Sequence, residues 1–352
     1  EVSQIKVAAA PPGEVYVNAL LGAQITGGST SVRDGWEKLR IAGAQVREML
    51  LTAAAARWGV DKDALKADKG VVTGPKGLKA TYGELAEAAA RMRADGIDVL
   101  VELNGPTHGT RMSILSHRPA PVQIEYLGWP GSVGGQLADY VVADDYTVPP
   151  EREALYPEKL IRLDRVYQIN DYAAATKAAP PPRALFGLPE GCMVLGSFNH
   201  INKVRNEVWR VWMQIMRAVP DAVLWMLDQG PLVREHVLAA ARREGVAPER
   251  LIFAPRCAQG QHLSRLQHCD LMLDPWPYGG HTTTSDALFA GVPVVALEGR
   301  NFASRVSGAL LRAAGLEALV QPDVDQYVAR AVQLLTDKPL RQALRAFLRQ
   351  EV

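Results

Sequence analysis

The sequence lacks the features that would place it in a membrane, in an oxidising compartment or on nucleic acid. Its 352 residues include only three cysteines, Cys192, Cys257 and Cys269. They are too few and too scattered for a disulfide framework or a zinc site. Each reads as a small buried apolar residue, and a reducing, cytoplasmic setting fits. No run of about 18 apolar residues occurs, so no membrane span is expected. The opening Glu1-Val2-Ser3-Gln4 has no basic segment followed by an apolar core, so no secretory signal is read there. Without an initiator Met, the start reads as a cut or processed end. Neither sign of charge dominates: 39 Lys and Arg stand against 38 Asp and Glu, a net charge of +1. That balance offers no field to nucleic acid or to an anionic membrane, though an anionic small ligand needs only local positive groups. The phosphate loop G-x-x-x-x-G-K-[ST], the nucleophile elbow G-x-S-x-G and a metal-spaced pair of histidines are all missing.

What is present divides into three blocks. Residues 1–88 hold a Gly/Thr/Ser loop, Thr26-Gly27-Gly28-Ser29-Thr30-Ser31, then a helical pattern over 36–58, a short strand and turn over 69–77, and a helix over 82–92. Residues 89–178 carry apolar strands at 97–103, 122–126 and 140–144. A Pro/Ala-rich stretch over 174–182, ending Pro180-Pro181-Pro182, is a stiff linker signal. Residues 183–352 alternate strands (193–198, 222–227, 251–254, 271–274, 292–297, 318–320) with amphipathic helices (207–218, 233–244, 324–336, 339–349). Alternating β and α with short apolar strands argues an α/β fold with a parallel, doubly wound sheet.

Ligands in such sheets sit at the carboxyl ends of the strands. Two loops of the third block stand out there. Asn199-His200-Ile201-Asn202-Lys203 follows the first strand, and a Lys so placed either puts its ammonium on a phosphate or is a solvated surface residue. The second loop follows 271–274. Gly279-Gly280 lets a ligand approach the backbone, and His281-Thr282-Thr283-Thr284 opens a helix running to about Ala290. The free N–H groups and positive end of a first turn make an anion site. The plain alternative is a Thr N-cap. Asp286, one turn in, is placed to accept from ribose hydroxyls or simply to complement the helix dipole. His262 and Arg265 stand where they could line the base or phosphate side. Asp61-Lys62-Asp63 and Asp323-Val324-Asp325 match D-x-D, but each opens a helix and reads as an N-cap.

Over residues 90–352 these motifs resemble glycosyltransferase family 41, the O-linked N-acetylglucosamine transferases of bacterial type. The matching segments are Asp95-Gly96-Ile97-Asp98-Val99-Leu100-Val101-Glu102-Leu103-Asn104-Gly105, Arg118-Pro119-Ala120-Pro121-Val122-Gln123, Leu127-Gly128-Trp129-Pro130-Gly131, and Gly280-His281-Thr282-Thr283 with Asp286 and Ala290-Gly291-Val292-Pro293. The resemblance implies a GT-B fold with a complete C-terminal Rossmann-like domain at 183–352 and a partial N-terminal one at 89–178. It implies inverting transfer of N-acetylglucosamine from UDP-GlcNAc to Ser/Thr hydroxyls of a protein, with no metal and no cofactor. Carried over, Lys203 and His281 are the catalytic residues. Asn199, His200, His262, Arg265, Gly280, Thr282, Thr283, Asp286 and Gly131 bind substrate. A Lys that the family often has near the ribose is Gln259 here.

Residues 1–88 resemble instead a segment of the molybdenum-binding subunit of the xanthine dehydrogenase and aldehyde oxidase group, through Gln24-Ile25-Thr26-Gly27-Gly28-Ser29-Thr30 and Tyr82-Gly83-Glu84-Leu85. The segments that would complete a molybdopterin site beside Gly27, Gly28, Ser29 and Thr30 are absent, so no molybdopterin is expected. Three readings follow: a protein O-GlcNAc transferase, a UDP-sugar-binding module without turnover, and a fragment of a molybdenum-dependent oxidoreductase.

Overall fold

The computed structural model describes residues 47–48, 50–52, 54–55, 58–68, 71–81, 87–107, 110–134, 136–172 and 179–351. The Gly27–Thr30 loop and the 82–85 motif lie outside them. The chain divides into two compact units, Glu1–Val141 and Val142–Val352.

In the first unit, strands β1 (Lys66–Asp68), β2 (Val71–Thr73) and β3 (Lys79–Thr81) form an antiparallel meander. It packs Leu65 and Val72 against Leu51 and Ala54. Asp61 accepts from the Asp63 N–H at 2.9 Å, so the first D-x-D is a cap, as its position suggested. Helix α1 (Glu87–Ala94) leads to β4 (Val99–Glu102), and a one-turn helix α2 (Ser113–Ser116) precedes β5 (Val122–Glu125). β4 and β5 pair in parallel, and β5 continues onto the start of β6 (Tyr140–Asp144). The loops after β4 and β5 interlock through two glycines. A Cβ at Gly105 would meet Glu125 Oε1 at 2.9 Å, and one at Gly128 would meet Asn104 Cα at 2.7 Å. That close approach explains the glycine at position 128 of the Leu127–Gly131 turn.

The second unit starts with the rest of β6 and β7 (Lys159–Leu163). β7 is not among the expected strands, because Lys159 and Arg162 interrupt its apolar pattern Lys-Leu-Ile-Arg-Leu. The stretch from 142 to 172 belongs with the C-terminal unit through specific side chains. Tyr146 lies between Arg305 and Arg312, whose guanidinium carbons stand 4.2 and 4.6 Å from its ring centroid. Tyr167 meets Phe302 edge-on at 4.6 Å. The chain therefore divides within β6 and not at the proline-rich linker. Ala179 and Pro181 of that linker accept hydrogen bonds from Ser264 and His268.

The remainder is a six-stranded sheet in the order β10-β9-β8-β11-β12-β13. Its strands are β8 (Met193–Ser197), β9 (Ala222–Leu227), β10 (Leu251–Ala254), β11 (Leu271–Leu273), β12 (Val294–Leu297) and β13 (Val320–Gln321). Every pairing in it is parallel. The helices between are α3 (Asn206–Ala218), α4 (Pro231–Arg243), α5 (Gln259–Leu266), α6 (Thr282–Phe289), α7 (Phe302–Ala313), α8 (Val324–Thr336) and α9 (Lys338–Glu351). The periodic apolar stripe of α3 puts Val208, Trp209, Trp212, Met213, Ile215 and Met216 into the core. Each such side chain contributes about 1.5–3 kcal/mol by leaving water. The expected last strand at 318–320 is mostly a 3-10 turn, Glu317–Leu319, with the strand proper two residues long. Asp323 caps α8 by accepting from the Gln326 N–H at 2.8 Å, so the second D-x-D is also a cap. Of the three cysteines expected to be buried, Cys269 is buried, Cys192 is intermediate and Cys257 is exposed. Cys257 lies in the loop between β10 and α5, beyond the reach of the sheet core.

Candidate functional site

β8 and β11 are neighbours at the middle of the parallel sheet, and their carboxyl-end loops meet. Gly196 of β8 permits this: a Cβ there would stand 2.7 Å from Cys269 Sγ. The loop after β8 brings in Asn199, which is buried, and Lys203. Lys203 Nζ donates to the Gly279 carbonyl at 2.8 Å and to Asn199 Oδ1 at 3.3 Å. It also lies 4.4 Å from the Tyr278 ring centroid. Burial pulls its pKa down to about 8, while the Asp274 charge opposes the shift. Thr283 Oγ1 donates to the same Asn199 oxygen at 3.1 Å.

The loop after β11 is held from beneath. Asp274, buried at the strand end, accepts the Gly280 N–H at 2.5 Å. Burial raises its carboxyl to about 7, against the opposing effects of Gly280, Ser307 and Lys203. Ser307 Oγ donates to the Gly280 carbonyl at 2.7 Å and pairs with Thr284 Oγ1 at 2.9 Å. Helix α6 then starts at Thr282 with His281 as its cap residue, and no side chain closes that end. The Thr N-cap alternative therefore does not apply. The His281 carbonyl takes the Thr284 and Ser285 N–H groups at 3.0 and 3.1 Å. Among the described residues the amides of His281, Thr282 and Thr283 have no acceptor. Three free N–H groups, a helix start and an ammonium thus surround one spot, the arrangement that stabilises bound phosphate. His281 stacks on Tyr278 at 5.2 Å, and its Nε2 is buried without a partner. Burial pushes its pKa down to about 3, followed by the Lys203 charge, against a hydrogen bond to the Ala303 backbone.

Along α6, Asp286 is 6% exposed and accepts the Tyr172 hydroxyl at 2.6 Å on Oδ1. Burial raises the Asp286 pKa, and the Tyr172 hydrogen bond lowers it. His262 on α5 presents Nε2 at 3.9 Å from Asp286 Oδ2. Its pKa falls to about 4 through burial and then the Arg265 charge. Arg265 is 3% exposed and points inward. It donates to His262 Nδ1 at 3.1 Å and to the Pro255 carbonyl at 2.6 Å. Arg265 therefore supports His262. The exposed His200 accepts from the Asn202 N–H at 3.3 Å and caps the turn that carries Lys203. Thr282 is exposed at the helix start. Gly131 belongs to the first unit, where its N–H donates to the Trp129 carbonyl at 3.0 Å.

The structure thus gathers Lys203, Asn199, Gly280, His281, Thr282 and Thr283 into one cradle, and Asp286, His262 and Arg265 along one adjoining wall. Sequence reasoning missed Tyr172 and the anchoring roles of Asp274 and Ser307. An Asp at a strand end just before a glycine loop was a readable signal for Asp274. Nothing local marks Tyr172.

Comparison with known proteins gives this geometry its family. The sequence model of Glycosyl transferase family 41 matches residues 80–179 and 176–351. The chain belongs to glycosyl transferase family 41. The match starts at residue 80 rather than 90, so the end of the segment likened to a molybdenum-binding subunit lies within it, and that second resemblance finds no support. This family 41 chain is 35% identical over 261 residues to the probable UDP-N-acetylglucosamine–peptide N-acetylglucosaminyltransferase SEC of Arabidopsis thaliana, covering 72% of this chain and 27% of that one. It is 33% identical over 269 residues to the probable transferase SPINDLY of Solanum lycopersicum, covering 75% and 28%. A solved mutant of the Thermobaculum terrenum O-GlcNAc transferase superposes with a TM-score of 0.69 at 35% identity, over 75% of this chain and 50% of that one. The likeness agrees with the expected α/β, GT-B type fold. The family 41 chain spans about a quarter of the length of these plant relatives and half of the solved one.

Proposed function

We propose that this chain is the donor-binding region of a protein O-GlcNAc transferase, using UDP-GlcNAc as donor and a protein Ser or Thr hydroxyl as acceptor. The observation that carries the reading is the convergence of the Lys203 ammonium with the free amides of His281, Thr282 and Thr283 at the start of α6. In transfer, the acceptor oxygen bonds to the anomeric carbon as that carbon's bond to the β-phosphate oxygen breaks. The bonding pair leaves with UDP and the hydroxyl proton goes to a base. The charge that develops on the leaving phosphate falls where Lys203 and the amides point, and preorganised donors of this kind typically contribute roughly 3 kcal/mol each to lowering the barrier. His281, kept neutral by burial, lends hydrogen bonding there without a competing charge. Asp286 takes the ribose side, and His262 packs beside it near the uridine. Gly131 is carried over from the family motif alone. A reducing, cytoplasmic setting suits the free thiols of Cys192, Cys257 and Cys269.

Calorimetric titration with UDP tests the cradle. Binding by the wild type and a loss of about tenfold or more in Lys203→Ala support it. No UDP affinity, or no effect of that substitution, overturns it. Transfer of labelled N-acetylglucosamine to a Ser/Thr peptide tests turnover. UDP binding without transfer would make the chain a binding module.

A further inference from the structure

An Asp side chain one turn into a helix is free to rotate unless something holds it. At Asp286 the holder is Tyr172, which lies 114 residues away in sequence and donates its hydroxyl to Oδ1 at 2.6 Å. The Tyr172 ring is fixed in turn, stacked on Phe289 with centroids 4.3 Å apart and planes at 14°. Phe289 sits three residues beyond Asp286 on the same helix, so one face of α6 orients both groups.

The facing histidine is set with equal definition. Arg265 Nε donates to His262 Nδ1 at 3.1 Å. Nδ1 is therefore the acceptor, and the ring proton of the neutral imidazole belongs on Nε2. Nε2 stands 3.9 Å from Asp286 Oδ2, too far for a hydrogen bond between them. Among the described residues no other hydrogen bond joins either atom. A single hydroxyl oxygen can lie about 2.8 Å from both at once, accepting from Nε2–H and donating to Oδ2. A C–H in its place satisfies neither.

We propose that Tyr172 is a positioning residue for sugar recognition: by holding Oδ1 it turns Oδ2 toward His262 Nε2, and this pair selects a ribose hydroxyl over its deoxy counterpart. The proposal rests on reading the α6 cradle as a UDP site. The chain of contacts from Pro255 through Arg265, His262 and Asp286 to Tyr172 fixes both the position and the proton direction of the two selecting atoms.

The test is a calorimetric comparison of UDP, 2′-deoxy-UDP, 3′-deoxy-UDP and pyrophosphate on the full chain. The wild type is expected to favour UDP over one deoxy analogue by about tenfold or more. Tyr172→Phe is expected to reduce that ratio to about threefold or less by weakening UDP, leaving the deoxy analogue and pyrophosphate as they were. Tyr172→Met removes the hydroxyl while filling similar space and should give the same ratio. A wild-type ratio retained in either variant overturns the proposal. So does loss of pyrophosphate binding in both, because Tyr172 then supports the whole site. A wild type that binds pyrophosphate and UDP without discriminating the deoxy analogues removes the ribose role of Asp286 and this proposal with it. A wild type that binds neither removes the cradle reading itself.

Discussion

Asp274 Oδ1 accepts the Gly280 N–H at 2.5 Å, so a buried carboxylate at the end of β11 sets the backbone that a diphosphate would approach. Asp274→Ala leaves that amide short of an acceptor. An unsatisfied buried donor costs about 1–3 kcal/mol. The expected outcome is a drop of that size in denaturant stability together with weaker UDP binding. Asp274→Asn keeps an acceptor oxygen but removes the charge that supports the Lys203 ammonium, so its stability loss should be smaller and its UDP affinity should fall most at alkaline pH.

Lys203 has a pKa drawn down to about 8 by burial. Its ammonium is thus lost within an accessible range, and UDP affinity should decline as pH rises through about 8. Arginine holds its charge throughout that range. Lys203→Arg should therefore flatten the decline, at the cost of a poorer fit at pH 7. Dissociation constants measured between pH 6.5 and 9.5 check both statements.

Gly280 is a second point of sensitivity. A Cβ there would stand 2.6 Å from Thr283 Oγ1 and 3.0 Å from Asp274 Oδ1, and would collide with the Thr284 hydroxyl. Gly280→Ala must displace the groups that shape the cradle. Overpacking of this kind typically costs about 1–3 kcal/mol. Loss of UDP binding with a lowered but cooperative melting transition is expected, and unchanged binding would show that the loop has room to move.

Two buried neutral histidines make stability depend on pH. The folded-state pKa values of His262 and His281 lie at about 4 and about 3, below the ordinary 6.5. Below pH 6.5 the unfolded chain takes up protons that the folded chain excludes. The stabilising contribution is complete above 6.5 and is lost as pH falls toward the folded values, by roughly 1–2 kcal/mol per histidine at pH 5. Urea midpoints at pH 7.5 and 5 should differ accordingly. In His262→Gln the difference should shrink by about the share of one histidine, whatever the absolute stability of the variant.

The sequence by itself determined the local elements of the C-terminal sheet. Alternating apolar strands and amphipathic helices have fixed periods, so β8 through β12 and helices α3, α4 and α8 lie within a residue or two of their expected places. It also determined the cradle, because Gly-Gly followed by His-Thr-Thr states a backbone chemistry within a few residues. The same locality explains the failures. β7 is interrupted by Lys159 and Arg162, so its apolar period does not show. The chain divides within β6 because Tyr146 and Tyr167 pack onto α7, more than a hundred residues downstream. Only the tertiary structure turned Arg265 inward to orient His262 and placed Tyr172 on Asp286. Those contacts depend on where the fold brings distant side chains, and a local residue pattern records nothing of that distance.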